Sequence, residues 1–266
     1  MRSEFPLSLN LLEIPSGEDK IVGRMYVAEG EGPHATILLL HGFPGVMMNL
    51  DTAAELQKNG FNVLIMNYRG SWGSQGSFSF SNSLEDVHAT LRYIRQREVA
   101  IQNRIDANRI ALAGHSFGGF LSLIAAASEP TIKAVAALSS ANFSLFAEML
   151  EQNSDLKEQF SQMLKDSCFF LNGASVEGIM EEILVNKMEW NTFLAAPQLV
   201  DRKLLLTAAD FDSQLPKQSF FDPLVSAFKQ ADVQHLQCEV LETDHNYIDK
   251  RKELADILLM WLKRVL

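Results

Sequence analysis

Two cysteines in 266 residues, Cys168 and Cys238, leave little material for covalent stapling or for a thiolate metal site. They form no C-x-x-C, and buried free thiols are expected rather than a disulfide. Long apolar runs are missing too: none approaches the roughly 18 residues that a membrane span needs. The opening Met1-Arg2-Ser3-Glu4-Phe5-Pro6 has no signal-peptide core. A cytoplasmic protein with no membrane partner is therefore expected. Basic charge is deficient, with a net charge of −10 and a pI near 5.1. That excludes the positive face a nucleic-acid binder requires and reads as plain solubility. Repeats and low-complexity tracts are absent. So are H-E-x-x-H and G-K-[ST], and Gly70-Ser71-Trp72-Gly73-Ser74-Gln75-Gly76 is not spaced as G-x-G-x-x-G. No metal and no organic cofactor is implied.

What is present is an ordinary globular composition, 47% hydrophobic and 21% charged, long enough for one large α/β domain with an insertion. Leu7 to Ile14 and Ile21 to Val27 read as an antiparallel strand pair around Pro15-Ser16-Gly17-Glu18-Asp19. Ala35 to Leu40 is a continuous apolar run, as a buried strand requires. A helix follows near Asp51 to Asn59, then a strand from Phe61 to Asn67. After a Gly/Ser-rich loop, Ser83-Leu84-Glu85-Asp86 opens a helix running to about Arg97. Further strands are read at Arg109 to Ala113, Ile132 to Leu138, Lys203 to Thr207 and Leu236 to Leu241. A helix is read near Pro223 to Gln230 and a last amphipathic one from Tyr247 to Leu266. Strands alternating with helices predict an α/β fold, a mostly parallel central sheet flanked by helices. One stretch breaks the rhythm. Residues 144–199 separate two strands by far more than a normal connection and carry helical apolar spacing, with Asn153-Ser154-Asp155 as an internal break and recap. We read it as a helical cap inserted between core segments 1–143 and 200–266.

Gly114-His115-Ser116-Phe117-Gly118 carries the most chemical information. It is G-x-S-x-G between a strand and a helix, the setting of a nucleophile elbow. Glycines on either side let strand and helix close around a strained turn that presents the Ser116 hydroxyl. A serine hydroxyl needs a positioned base, and that base needs an acid to orient it. The expected chain order is serine, acid, histidine. His235 and His245 remain as bases downstream, His115 pointing away from the serine beside it. His235 starts the last strand, roughly 20 Å from the carboxyl edge where ligand sites gather, and His245 lies just past that edge. His245 is the candidate base. Asp210 and Asp212 both end the Lys203 strand, and side chains two apart point the same way, so spacing leaves both open as the acid. The oxyanion hole is expected from the backbone N–H of Phe117 and that of Phe43, since Pro44 has none. Arg69 is expected to pin loops. Trp72, Met149 and Phe160 are candidate substrate contacts, although a structural role is favoured for Trp72, and Met149 and Phe160, with Met163, Phe169 and Phe170, more often describe a cap core.

His41-Gly42-Phe43-Pro44-Gly45, Asn67-Tyr68-Arg69-Gly70, Gly114-His115-Ser116-Phe117-Gly118-Gly119 and Asp244-His245 together resemble the α/β-hydrolase superfamily, in particular esterases related to dienelactone hydrolase and prolyl oligopeptidase. The resemblance covers about residues 20–143 and 200–266, and leaves out the cap. In those groups the acid commonly stands four residues before a proline, which matches Asp212 and Pro216 and favours Asp212. A His-Gly pair often precedes that acid, and here Ala208-Ala209 stand in its place.

The resemblance implies a serine hydrolase acting through Ser116, Asp212 and His245, with an acyl-enzyme intermediate. Its partner would be a small-molecule ester of small or medium acyl chain. Oligopeptidases of this kind carry a large N-terminal propeller for which the stretch before the first strand pair has no room, so esters are favoured over peptides. The alternatives are a peptidase or amidase, a thioesterase, and a non-catalytic binding protein on the same fold. A dehalogenase would need an aspartate at Ser116. Oligomeric state is left open, a homodimer included.

Overall fold

The computed structural model describes residues 4–266. In chain order its elements are β1 (Ser8–Ser16), β2 (Asp19–Val27), β3 (His34–Leu40), α1 (Leu50–Lys58), β4 (Asn62–Met66) and α2 (Phe80–Ile94). There follow α3 (Arg97–Gln102), β5 (Ile105–His115), α4 (Phe117–Ser128), β6 (Ala134–Leu138), α5 (Phe143–Gln152) and α6 (Ser154–Cys168). The chain ends with α7 (Val176–Val185), β7 (Lys203–Ala209), α8 (Lys217–Gln230), β8 (His235–Leu241) and α9 (Arg251–Val265).

Among the described residues the strands form one eight-stranded sheet in the order β1-β2-β4-β3-β5-β6-β7-β8. β2 pairs antiparallel with both β1 and β4; from β4 to β8 every pairing is parallel. The apolar runs alternate between two cores. Leu38, Leu40, Leu64, Ile110, Leu112 and Val135 face the layer of α2, α4 and α8. Ile37, Leu39, Val63, Ala111, Ala113 and Ala136 face α1 and α9, where Leu56, Leu254, Leu258 and Trp261 cover them. Period-2 alternation cannot appear as polar/apolar when both faces are covered, hence the continuous Leu/Ile/Val runs. Each such side chain stabilises by about 1.5–3 kcal/mol on full burial.

Several element boundaries differ from the sequence reading. α2 starts at Phe80, because the Ser79 hydroxyl, rather than Ser83, caps it by accepting from the Asn82 amide at 3.0 Å. A short extra helix, α3, precedes β5. α8 begins at Lys217 behind Pro216 and keeps Pro223 inside, where the Ser219 carbonyl loses its i+4 donor. α9 begins at Arg251, since Tyr247 takes a φ of 55° and interrupts the helix before it starts. Both cysteines are free, but neither is fully buried as expected: Cys168 is half-buried, and Cys238 is exposed on edge strand β8. Between β6 and β7 lie α5, α6 and α7. The Asn153 side chain recaps α6 by accepting from the amides of Asp155 and Leu156.

Candidate active site

The parallel strands bring four chain segments to one edge of the sheet: the loops after β3, β5, β7 and β8. The turn after β5 is closely constrained. Ser116 has φ 57° and ψ −115°, a conformation that side-chain-bearing residues adopt only under constraint. The constraints are visible. Its N–H donates to the Leu138 carbonyl at 2.8 Å, and its own carbonyl accepts from Phe120 at 3.1 Å and Ala141 at 3.2 Å. A Cβ at Gly114 would collide with the Gly118 carbonyl, and one at Gly118 with the Leu40 carbonyl. Only glycine permits β3, β5 and α4 to close to this distance. Ser116 itself remains partly exposed.

His245 sits in the loop after β8, and its Nδ1 lies 2.6 Å from Asp212 Oδ2. The other carboxylate oxygen, Oδ1, accepts from the amides of Gln214 at 2.9 Å and Leu215 at 2.8 Å. Asp212 and His245 are both buried. Asp210, two residues earlier, is exposed and uses its N–H to extend the ladder to the Leu241 carbonyl. The chain turns between them, with Asp212 N–H donating to the Ala209 carbonyl at 3.3 Å. Strand alternation has ended there, so the two carboxylates part company. His235 pairs with Lys203 at the far end of β8.

The loop after β3 comes close to the serine: a Cβ on Gly42 would lie 3.3 Å from the Ser116 Cβ. Three side-chain contacts hold this loop. His41 Nδ1 meets the Gly42 carbonyl at 2.8 Å, Tyr68 OH donates to the His41 carbonyl at 2.9 Å, and Trp72 Nε1 donates to the Pro44 carbonyl at 2.8 Å. The Phe43 and Phe117 rings meet edge to face at 6.5 Å. Phe117 is the first residue of α4, so its N–H has no intrahelical acceptor.

Burial sets the protonation of the supporting groups. Desolvation depresses His41 to about 4 and His115 to about 3, so both imidazoles are neutral. Desolvation likewise pushes Tyr247 up to about 12, which keeps its phenol a hydroxyl held between Ser139 Oγ at 2.7 Å and Thr207 Oγ1 at 2.8 Å. These polar contacts link loops 40 to 108 residues apart and left no local mark in the sequence.

Of the remaining candidates, Trp72 is 38% exposed and stacks on Phe170 at 5.8 Å. Met149 is half-buried on α5, and Phe160 is buried, stacked on Phe146 at 5.3 Å within the helices. Arg69 pins its loop: Nε donates to Asp86 Oδ1 and the backbone N–H to Oδ2, each at 2.7 Å. Burial raises the Asp86 carboxyl against those bonds. Among the described residues, no group of three or more His, Cys, Asp or Glu could hold a metal ion, and no helix is long and apolar enough to cross a membrane.

Known proteins resemble this chain in sequence and in fold. Acylamino-acid-releasing enzyme 2 of Oryza sativa subsp. japonica is 38% identical over 96 residues, covering 32% of this chain and 12% of the rice protein. Thiohydrolase aneE of Aspergillus aculeatus is 30% identical over 122 residues, covering 44% of this chain and 36% of its own. The chain thus matches a minor part of each of these relatives. Est1E from Butyrivibrio proteoclasticus, solved with ferulic acid bound, superposes with a TM-score of 0.70 at 16% identity, covering 96% of this chain and 98% of that one. A family model for the alpha/beta hydrolase fold matches residues 35–180, more than half of the sequence, and takes in both the loop after β3 and the Ser116 elbow. The chain belongs to the α/β-hydrolase fold family.

Proposed function

We propose that the protein is a serine hydrolase that cleaves carboxylic esters of small or medium acyl chain, with Ser116 as nucleophile, His245 as base and Asp212 as the acid that orients it. The observation that carries this reading is the 2.6 Å bond between His245 Nδ1 and Asp212 Oδ2 at the edge where the Ser116 turn is also presented. Fixing Nδ1 leaves Nε2 as the ring nitrogen free to take a proton. Ser116 Oγ attacks the ester carbonyl carbon as His245 Nε2 takes the hydroxyl proton, and the charge that forms on the carbonyl oxygen is met by the N–H groups of Phe43 and Phe117. Collapse expels the alcohol, which receives the proton from His245. Water, deprotonated by the same nitrogen, then releases the acid and restores Ser116.

In this reading α5, α6 and α7 act as a cap, residues 144–199, on a core made of 1–143 and 200–266. Trp72, stacked on Phe170, and Met149 and Phe160 are its proposed substrate contacts. A second reading, an amidase or peptidase that releases acylated amino acids, or a thioesterase, is favoured by the names of the rice and Aspergillus relatives.

The test is a panel of nitrophenyl esters of rising chain length, run beside acylaminoacyl anilides and acyl thioesters, on the parent and on Ser116→Ala. Ester turnover should dominate, and Ser116→Ala should reduce kcat by about 10⁶-fold, as removal of a triad serine does elsewhere. Fluorophosphonate labelling that persists in Ser116→Ala would remove the nucleophile assignment. Faster turnover of anilides or thioesters would hand the protein to the second reading.

A further inference from the structure

His115 precedes Ser116 by one peptide bond, and the mechanism above makes no use of it. Alternation along β5 places Ala111, Ala113 and His115 on the face covered by α1 and α9, opposite Leu112. There the buried His115 ring lies 4.8 Å from the His245 ring and 6.1 Å from that of Tyr247. Its Nε2 is 2.7 Å from the backbone carbonyl of His245. A carbonyl can only accept, so the Nε2 carries the proton. The neutral ring then leaves Nδ1 as a bare lone pair, and that atom is buried without a partner.

From this contact we infer that His115 is a positioning residue: its Nε2–H holds the His245 carbonyl and so sets the distance between the nucleophile and its base. The inference rests on the serine-hydrolase reading given above. Asp212 fixes the His245 imidazole from one side, and that alone does not fix the backbone from which the imidazole hangs. His115 supplies the missing restraint, and supplies it from the residue bonded to Ser116. Elbow and base loop, 130 residues apart in sequence, are thereby joined through one side chain. A displacement near 1 Å at a reacting pair costs about 10²-fold in rate.

The test compares His115→Phe, which keeps a ring but removes the donor, with His115→Gln, whose amide N–H reaches about as far as Nε2. On nitrophenyl butyrate, His115→Phe should lower kcat by 10- to 100-fold with KM within about twofold, and slow fluorophosphonate labelling of Ser116 by the same factor. His115→Gln should recover most of that loss. In the parent protein, ¹⁵N-histidine spectra at pH 7 should show His115 neutral with its proton on Nε2, a readout that requires no variant to fold. A proton on Nδ1 overturns the inference, as does a His115→Phe enzyme with parental kcat, or one whose loss lies in KM or is not recovered by Gln. Ser116→Ala in the same assay separates the two layers. If it stays active, the serine-hydrolase reading falls and this inference with it. If it is dead while His115→Phe is unimpaired, the inference alone falls.

Discussion

The loops at the sheet edge and the helices between β6 and β7 are held together by different physics. The edge is built from groups with no substitutes: glycines pressed against carbonyls, a carboxylate shared between an imidazole and two amides, and a phenol between two hydroxyls. α5, α6 and α7 are built from Phe143, Phe146, Phe160, Leu164, Ile179 and Ile183 packed on one another and on Phe120 and Trp190. Apolar packing tolerates exchange of side chains at constant volume, whereas a buried hydrogen bond does not tolerate loss of one partner. Substitutions at the edge should therefore show in rate, and substitutions in the helices in stability.

After loss of Ser116 itself, the largest expected effect belongs to the proposed acid. Asp212→Asn should lower kcat by about 10⁴-fold on the best ester, while Asp210→Asn stays within about threefold. Equal losses in the two variants would undo the distinction drawn from the turn at Ala209. Next comes Phe160→Ala, in the helices. Removal of a buried phenylalanine should lower stability by about 3–5 kcal/mol, read from the urea midpoint, with kcat within a few-fold under conditions where the variant is folded. A collapse of kcat with stability intact would place Phe160 at the substrate instead.

Acid denaturation gives a third comparison. The folded values of His41 and His115, about 4 and about 3, lie below the unfolded value near 6.5. Below pH 6.5 the unfolded chain binds protons that the native state refuses. Stability should therefore be full above that pH and fall as pH drops toward 4 and 3, by up to about 1.4 kcal/mol per unit for each histidine. Urea titrations at successive pH values should show a shallower slope in His115→Phe than in the parent. The smallest effect is expected from Glu182→Gln. The Glu182 carboxylate accepts from the amides of Phe80 at 2.8 Å and Ser81 at 3.2 Å, and removing its charge from that helix end should destabilise by about 0.3–1 kcal/mol in chemical denaturation.

Much of the edge was legible in the sequence. Apolar runs ending in His41-Gly42, Gly114 and Ala208-Ala209 marked strands whose carboxyl ends must meet, and G-x-S-x-G named the turn. Spacing alone did not separate Asp210 from Asp212, and only the resemblance, through Pro216, favoured Asp212, because the distinction rests on where β7 stops, a matter of one hydrogen bond at Ala209. The supports of the site were not legible at all. His115 against the His245 carbonyl, and Tyr247 between Ser139 and Thr207, are meetings of residues far apart in sequence, and no periodicity records them. The start of α2 was placed late at Ser83; the Ser79 hydroxyl takes the Asn82 amide instead, and the first turn so gained packs Phe80 on Phe117 and Phe143.

The contact between Glu182 and the first amides of α2 has a consequence for anyone who would transplant parts of this protein. α2 is one of the layers that cover the sheet, yet its exposed end is completed by a side chain about a hundred residues away. Excising the segment between β6 and β7, or grafting a foreign one in its place, would leave that end of the scaffold unfinished and bare the Phe80 ring that Trp190 covers. The segment is better regarded as a part of the folding unit than as an interchangeable accessory. A chimera made here would keep that helix end complete only by carrying its own carboxylate at the position of Glu182.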